Sequence, residues 1–128
     1  MSRLAAAWAS VILAGVSAPA LAHHSFPATY IVDKQITIKG TVVQFLFRNP
    51  HSFVHVLAPD KDGKMLTWAV EWGAGGALGS DNIKQDTIKP GDVVIVTGNP
   101  ARDQDTHRLR MRSIERPSDG FKWAGTFG

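Results

Sequence analysis

Histidines and carboxylates are the side chains here that can hold a metal ion, and their spacing decides which of them can act together. The five histidines stand at positions 23, 24, 51, 55 and 107, and cysteine is absent. Without cysteine, thiolate catalysis, iron–sulfur clusters and cysteine-ligated zinc are excluded at once. His23 and His24 follow a segment with the order of a secretory leader. Arg3 gives a positive start, Leu4 to Val16 is apolar, and Ala20-Leu21-Ala22 is a small-x-small cleavage site. The apolar run is too short to span a bilayer, and the sequence offers neither a cysteine for lipid attachment nor a twin arginine. Cleavage after Ala22 predicts a periplasmic or secreted protein with no stable membrane anchor, its first residue being His23.

Such processing creates a chelate. The new α-amino group of His23, with a pKa of about 8, and its own imidazole, at about 6.5, are both easily deprotonated near neutrality and can grip one ion together. A further histidine completes a three-nitrogen, roughly planar set that favours Cu(II), with zinc as the alternative ion. His51 and His55 sit four apart on a predicted strand, so they share a face with Phe53 and lie about 13 Å apart at roughly 3.3 Å per residue. They do not share one ion without a bulge. His51, which follows Pro50 at the start of that strand, is the better third ligand; Glu71 on the next strand can add an oxygen, and His24 is a supporting candidate. The plainer reading makes the paired histidines a hydrophilic start and His51 a turn residue, with His55 and His107 ordinary surface or half-buried side chains.

A second constellation is cationic. Arg108, Arg110 and Arg112 alternate and so line one face of a predicted last strand, which suits an anionic ligand; a solvated strand face is the simpler account. Cleavage after Ala22 would leave 106 of the 128 residues, 13 basic against 11 acidic, a formal charge of +2. That charge is too small to dictate a polyanionic partner, and no nucleic acid is expected outside the cell. An enzyme is not expected, a metal-dependent redox role being the alternative. His51 and Ser52 are neighbours on a strand and point to opposite faces, so they make no nucleophile and base. Asp60 and Asp62 belong to a turn that lacks the closing glutamate of a calcium loop. The glycines from Gly73 to Gly79 match no phosphate- or dinucleotide-binding spacing.

The elements that must position these residues read as β. Gln35 to Phe47 is one long strand with Gly40 inside it, where a strand can bend or bulge. His51 to Ala58 and Met65 to Trp72 are the next two, joined by the turn Pro59-Asp60-Lys61-Asp62-Gly63-Lys64. On the third, Leu66, Trp68, Val70 and Trp72 share one face and Thr67, Ala69 and Glu71 the other. Short helical turns fit Ala74 to Leu78 and Ile83 to Asp86. Val93 to Gly98, apolar on both faces, is a central strand, and Arg108 to Glu115 the fifth. The fold class is therefore all-β: a small five-stranded OB-like β-barrel with a short helical segment between strands 3 and 4, a two-sheet sandwich being the alternative. The domain plan is a leader (1–22), a barrel (23–116) and a tail (117–128) whose Phe121, Trp123 and Phe127 cover an open edge or end.

Five local motifs fall in order along this plan: His23-His24-Ser25-Phe26, Ile38-Lys39-Gly40-Thr41-Val42, Asn49-Pro50-His51-Ser52, Trp68-Ala69-Val70-Glu71 and Lys89-Pro90-Gly91-Asp92-Val93. Together they resemble a family of small exported bacterial proteins of unknown function. The likeness runs from His23 to about Glu115 and leaves out the tail after Arg116, and Gly73 to Gly76 is looser than the family's helix-forming segment. The resemblance implies export and an OB-like barrel and supplies no catalytic residues. The resulting expectation is a monomeric, exported barrel that binds copper, or less readily zinc, through His23, His24, His51 and Glu71. The alternative is a metal-free module that binds a small ligand or an envelope protein through Arg108, Arg110, Arg112 and the aromatic tail.

Overall fold

A computed structural model describes residues 25–127. Its elements are α1 (Phe26–Thr29), β1 (Ile36–Leu46), β2 (Phe53–Pro59), β3 (Met65–Glu71), α2 (Gly75–Ser80), β4 (Val93–Pro100), β5 (Arg108–Arg116) and β6 (Phe121–Ala124), with a 3₁₀ turn at Gln104–Thr106. The sheet order is β3-β2-β1-β4-β5-β6, and a further pairing of β3 with β5 closes the first five strands into a barrel. Among the described strands only the closing pair is parallel, and it is short: Ala69, Val70 and Glu71 lie opposite Arg108, Leu109 and Arg110. The expected five-stranded barrel with a short helix between the third and fourth strands is what forms.

Alternation explains the interior. Val54, Val56 and Ala58 of β2, Trp68 and Val70 of β3, and Val94 and Val96 of β4 point inward and are buried. Each fully buried branched aliphatic contributes about 1.5–3 kcal/mol. Gly40 earns its place by close approach: a Cβ there would lie 2.1 Å from the Leu57 carbonyl oxygen of the neighbouring strand. The irregularity in β1 falls just beyond it, between Val42 and Gln44.

The tail supplies a strand that the sequence reading treated only as a cover. The half of β5 not used by β3, Ser113 to Arg116, pairs with Phe121 to Ala124, so β6 caps an edge that closure leaves free. Trp123 packs edge-on against the buried Trp72, ring centroids 5.3 Å apart, and its indole N–H donates to Asp81 Oδ2 at 2.9 Å. Two local expectations need correction. β2 begins at Phe53, so His51 lies before the strand, in the loop that carries the cis Asn49-Pro50 bond. Ile83 to Asp86 is not helical; Ile83 and Ile88 bury as anchors of an irregular connector whose turn is closed by Thr87 Oγ1 accepting from the Lys84 amide.

Candidate functional site

Glu71 stands where alternation put it, on the outer face of β3, yet it is only 7% exposed. Two segments distant in sequence cover that face. From one side comes α1, whose first turn holds Pro27 and which hands the chain to Tyr30. This segment is stitched to the end of β4 and the loop after it: Ile31 N–H donates to Pro100 O, Arg102 N–H to Thr29 O and Arg102 Nε to Pro27 O. Tyr30 is thereby held at 1% exposure with its hydroxyl donating to Glu71 Oε1 at 2.8 Å. From the other side comes the C-terminal Phe127, whose ring meets that of Phe26 edge-on at 5.3 Å.

The second donor to Glu71 Oε1 is Arg108 Nη2, also at 2.8 Å. Its guanidinium lies 5.3 Å from the ring centre of Phe53 and 5.8 Å from that of Tyr30. Arg110, two residues on, sits 3.8 Å over the Phe26 ring and 5.3 Å from that of Phe127, whose carbonyl accepts from it. Burial first, then the neighbouring charge of Arg112, lowers the Arg110 pKa below the ordinary arginine value. Burial, and after it the Glu71 carboxylate, pushes the Tyr30 phenol well above the ordinary tyrosine range.

His51 reaches the same carboxylate from its loop. Ser52 pins that loop by accepting from the Arg48 amide and donating to the Arg48 carbonyl, each at 3.1 Å, while its own backbone bonds to Gly73 and Trp72. His51 Nδ1 lies 3.5 Å from Glu71 Oε2, too far for a good hydrogen bond, and is buried without a hydrogen-bond partner among the described residues. The side chain as a whole is 42% exposed, and the Phe26 ring stands edge-on to it at 6.1 Å.

Two constellations that were separate in the sequence are therefore one place in the fold. His51, Glu71 and Arg108 meet directly, Arg110 joins through Phe26 and Phe127, and Arg112 makes no side-chain hydrogen bond among the described residues. His23 and His24 lie outside the described residues. His55 is on β2 opposite Ala69, and His107 packs edge-on against Trp68 at 5.6 Å; neither joins the cluster. No group of three or more His, Cys, Asp or Glu side chains that could hold an ion occurs among the described residues. Sequence reasoning passed over Tyr30, gave Phe26 and Phe53 no part in a site, and had Phe127 only within the aromatic tail of the alternative reading. The signal available for Phe26 was its place directly after the paired histidines, and for Tyr30 its being the sole tyrosine.

The chain belongs to a family of unknown function, DUF6152, whose model matches residues 9–110. That span starts within the apolar stretch Leu4 to Val16, includes His51, Glu71, Arg108 and Arg110, and stops short of Arg112 and β6. No curated protein matches the chain. No described helix is long and apolar enough to cross a membrane.

Proposed function

For this member of the family we propose an exported barrel that binds a transition-metal ion, copper before zinc, with His51 Nδ1 and Glu71 Oε2 completing a site begun by the processed amino terminus of His23. The observation that carries this reading is the unpartnered His51 Nδ1 at 3.5 Å from a buried carboxylate oxygen. Two donors on one ion, each at about 2.1 Å, stand about 3.0 Å apart at a planar corner and about 3.4 Å apart at a tetrahedral one, so the pair closes on either ion with a small movement of His51. Reach favours it as well. Phe26 packs on His51, and the three residues back to His23 span at most about 11 Å. Tyr30 and Arg108 fix Glu71 through Oε1 and leave Oε2 toward His51, an outer layer of the kind that orients metal ligands. His24 is the supporting ligand. Arg108 neutralises Glu71, which favours neutral nitrogen donors for the remainder of the site and hence copper over a hard cation.

Copper titration of protein beginning at His23, against a form carrying one extra amino-terminal residue and against His51→Ala, tests the proposal. The free terminus and the imidazole should each improve affinity at least about tenfold, as losing one member of a chelate does. Equal affinity in all three forms removes both groups from the site. The competing reading, an anionic small molecule or envelope protein held by Arg108, Arg110 and Arg112 with the aromatic tail, predicts instead that Arg110→Ala loses the partner while His51→Ala keeps it.

A further inference from the structure

We propose a second binding site, for a small organic anion with an apolar body, in the cleft between the start of β1, the β2–β3 hairpin and the β4–β5 loop. The cleft has a volume of about 450 Å³, within the range of small-molecule sites. Ile36, Ile38, Pro59 and Trp68 give it apolar walls, and Lys34 and Lys61 stand at its rim. Arg108, whose Nη2 holds Glu71, also lines it, so the cleft lies across that guanidinium from the cluster described above.

Unmet hydrogen bonding identifies the ligand class. Two lining side chains have buried polar atoms without partners among the described residues, Trp68 Nε1 and Arg108 Nε. Both are donors and neither can accept, so only an acceptor recovers what their burial costs. Trp68 is itself only 9% exposed. Charge points the same way. Lys34 and Lys61 have no ion-pair partner among the described residues, and with Arg108 they stand against two lining acids, Asp105 and Asp60, the latter with Oδ1 engaged by the Asp62 and Lys64 amides of its own turn. The wall contributed by the β4–β5 loop is also backbone-specific. His107 adopts φ 47°, a left-handed conformation uncommon outside glycine, and this places its ring against the Trp68 indole. A carboxylate or sulfonate on a hydrocarbon or aryl body meets all of these features.

The probe is 4-phenylbutyrate, with 4-phenylbutanol and 4-phenylbutylamine as neutral and cationic counterparts, read on the tryptophan indole N–H resonances of the ¹⁵N-labelled protein. The carboxylate should shift the Trp68 resonance saturably, leave that of Trp123 in place, and bind at least tenfold more tightly than the amine. The exposed pair Lys34→Glu and Lys61→Glu, made together, should weaken it at least fivefold without altering the rest of the spectrum. A Trp68 resonance that stays fixed at millimolar carboxylate overturns the proposal. So does binding of the amine as tight as that of the acid, or unchanged affinity in the double variant.

Discussion

Removing one oxygen atom tests whether Glu71 is held as described. Tyr30→Phe deletes the hydroxyl that donates to Glu71 Oε1 and leaves the ring, 1% exposed, in place beneath the Arg108 guanidinium. A hydrogen bond to a charged acceptor contributes about 1.5–3 kcal/mol. The lower part of that range applies, because Oε1 keeps its bond from Arg108 and is not orphaned by the change. A loss of about 1.5–2 kcal/mol in a domain of this size lowers the melting temperature on the order of 10 °C. Thermal unfolding followed by far-UV circular dichroism, on protein shown by mass spectrometry to have the same first residue as wild type, measures it. Glu71→Gln and the double variant complete a cycle, in which a coupling of about 1 kcal/mol or more is expected for groups in contact. A melting temperature within about 2 °C of wild type, or additive single changes, would refute the contact and with it the claim that Glu71 Oε2 is presented to His51 by a fixed carboxylate.

Two further outcomes follow from the same geometry and from the strand crossing. Tyr30 is the only tyrosine, so phenolate absorbance reports it alone. An ordinary tyrosine is mostly ionised by about pH 11, whereas folded Tyr30, its pKa raised by burial and Glu71, should remain protonated there. Because the native state holds that proton more tightly than the unfolded chain, this contribution to stability is complete below the unfolded pKa of about 10 and declines as pH rises toward the folded value. A phenolate transition centred near 10 with the circular dichroism intact contradicts it. Gly40→Ala forces a methyl group onto the Leu57 carbonyl and should cost about 2–3 kcal/mol in a urea unfolding experiment; a cost under about 0.5 kcal/mol would show that the strands can separate there.

What the sequence made legible was set by local pattern. Val54, Val56, Val94 and Val96 recur at the period of a strand, and the alternation of Leu66, Trp68, Val70 and Trp72 placed the tryptophans inside, as found. The same alternation put Glu71 outward and was right about its direction. What it could not reveal is that the outward face is covered, because the cover comes from α1 and from Phe127, 45 residues before and 56 residues after it in the chain. The tail's aromatic residues read as a cover for an open edge or end, but nothing local assigns them to this face, and α1 is only four residues with a proline near its start. Arg108 and Arg110 read as a solvated stripe for the same reason. Alternation fixed their shared face, while their partners, Glu71, Phe26 and Phe127, depend on the one parallel pairing in the barrel. The second strand was started at His51, two residues too early, because His-Ser-Phe-Val continues the β pattern, whereas Ser52 turns back to bond with Arg48 and ends the loop there.

The parallel seam has a bearing on how ligand occupancy could be observed without any chromophore. Three residue pairs hold the cylinder shut, and the outermost of them, Glu71 opposite Arg110, has the carboxylate clasped from above by Tyr30 and Arg108. A closed barrel breathes most readily where its zip is shortest, so the amides that bond across this seam, such as Ala69 to the His107 carbonyl, should exchange fastest in the five-strand ladder. Whatever draws His51 toward Glu71 on one flank, or fills the space beside Arg108 on the other, acts as a rivet on that zip and should slow exchange there first.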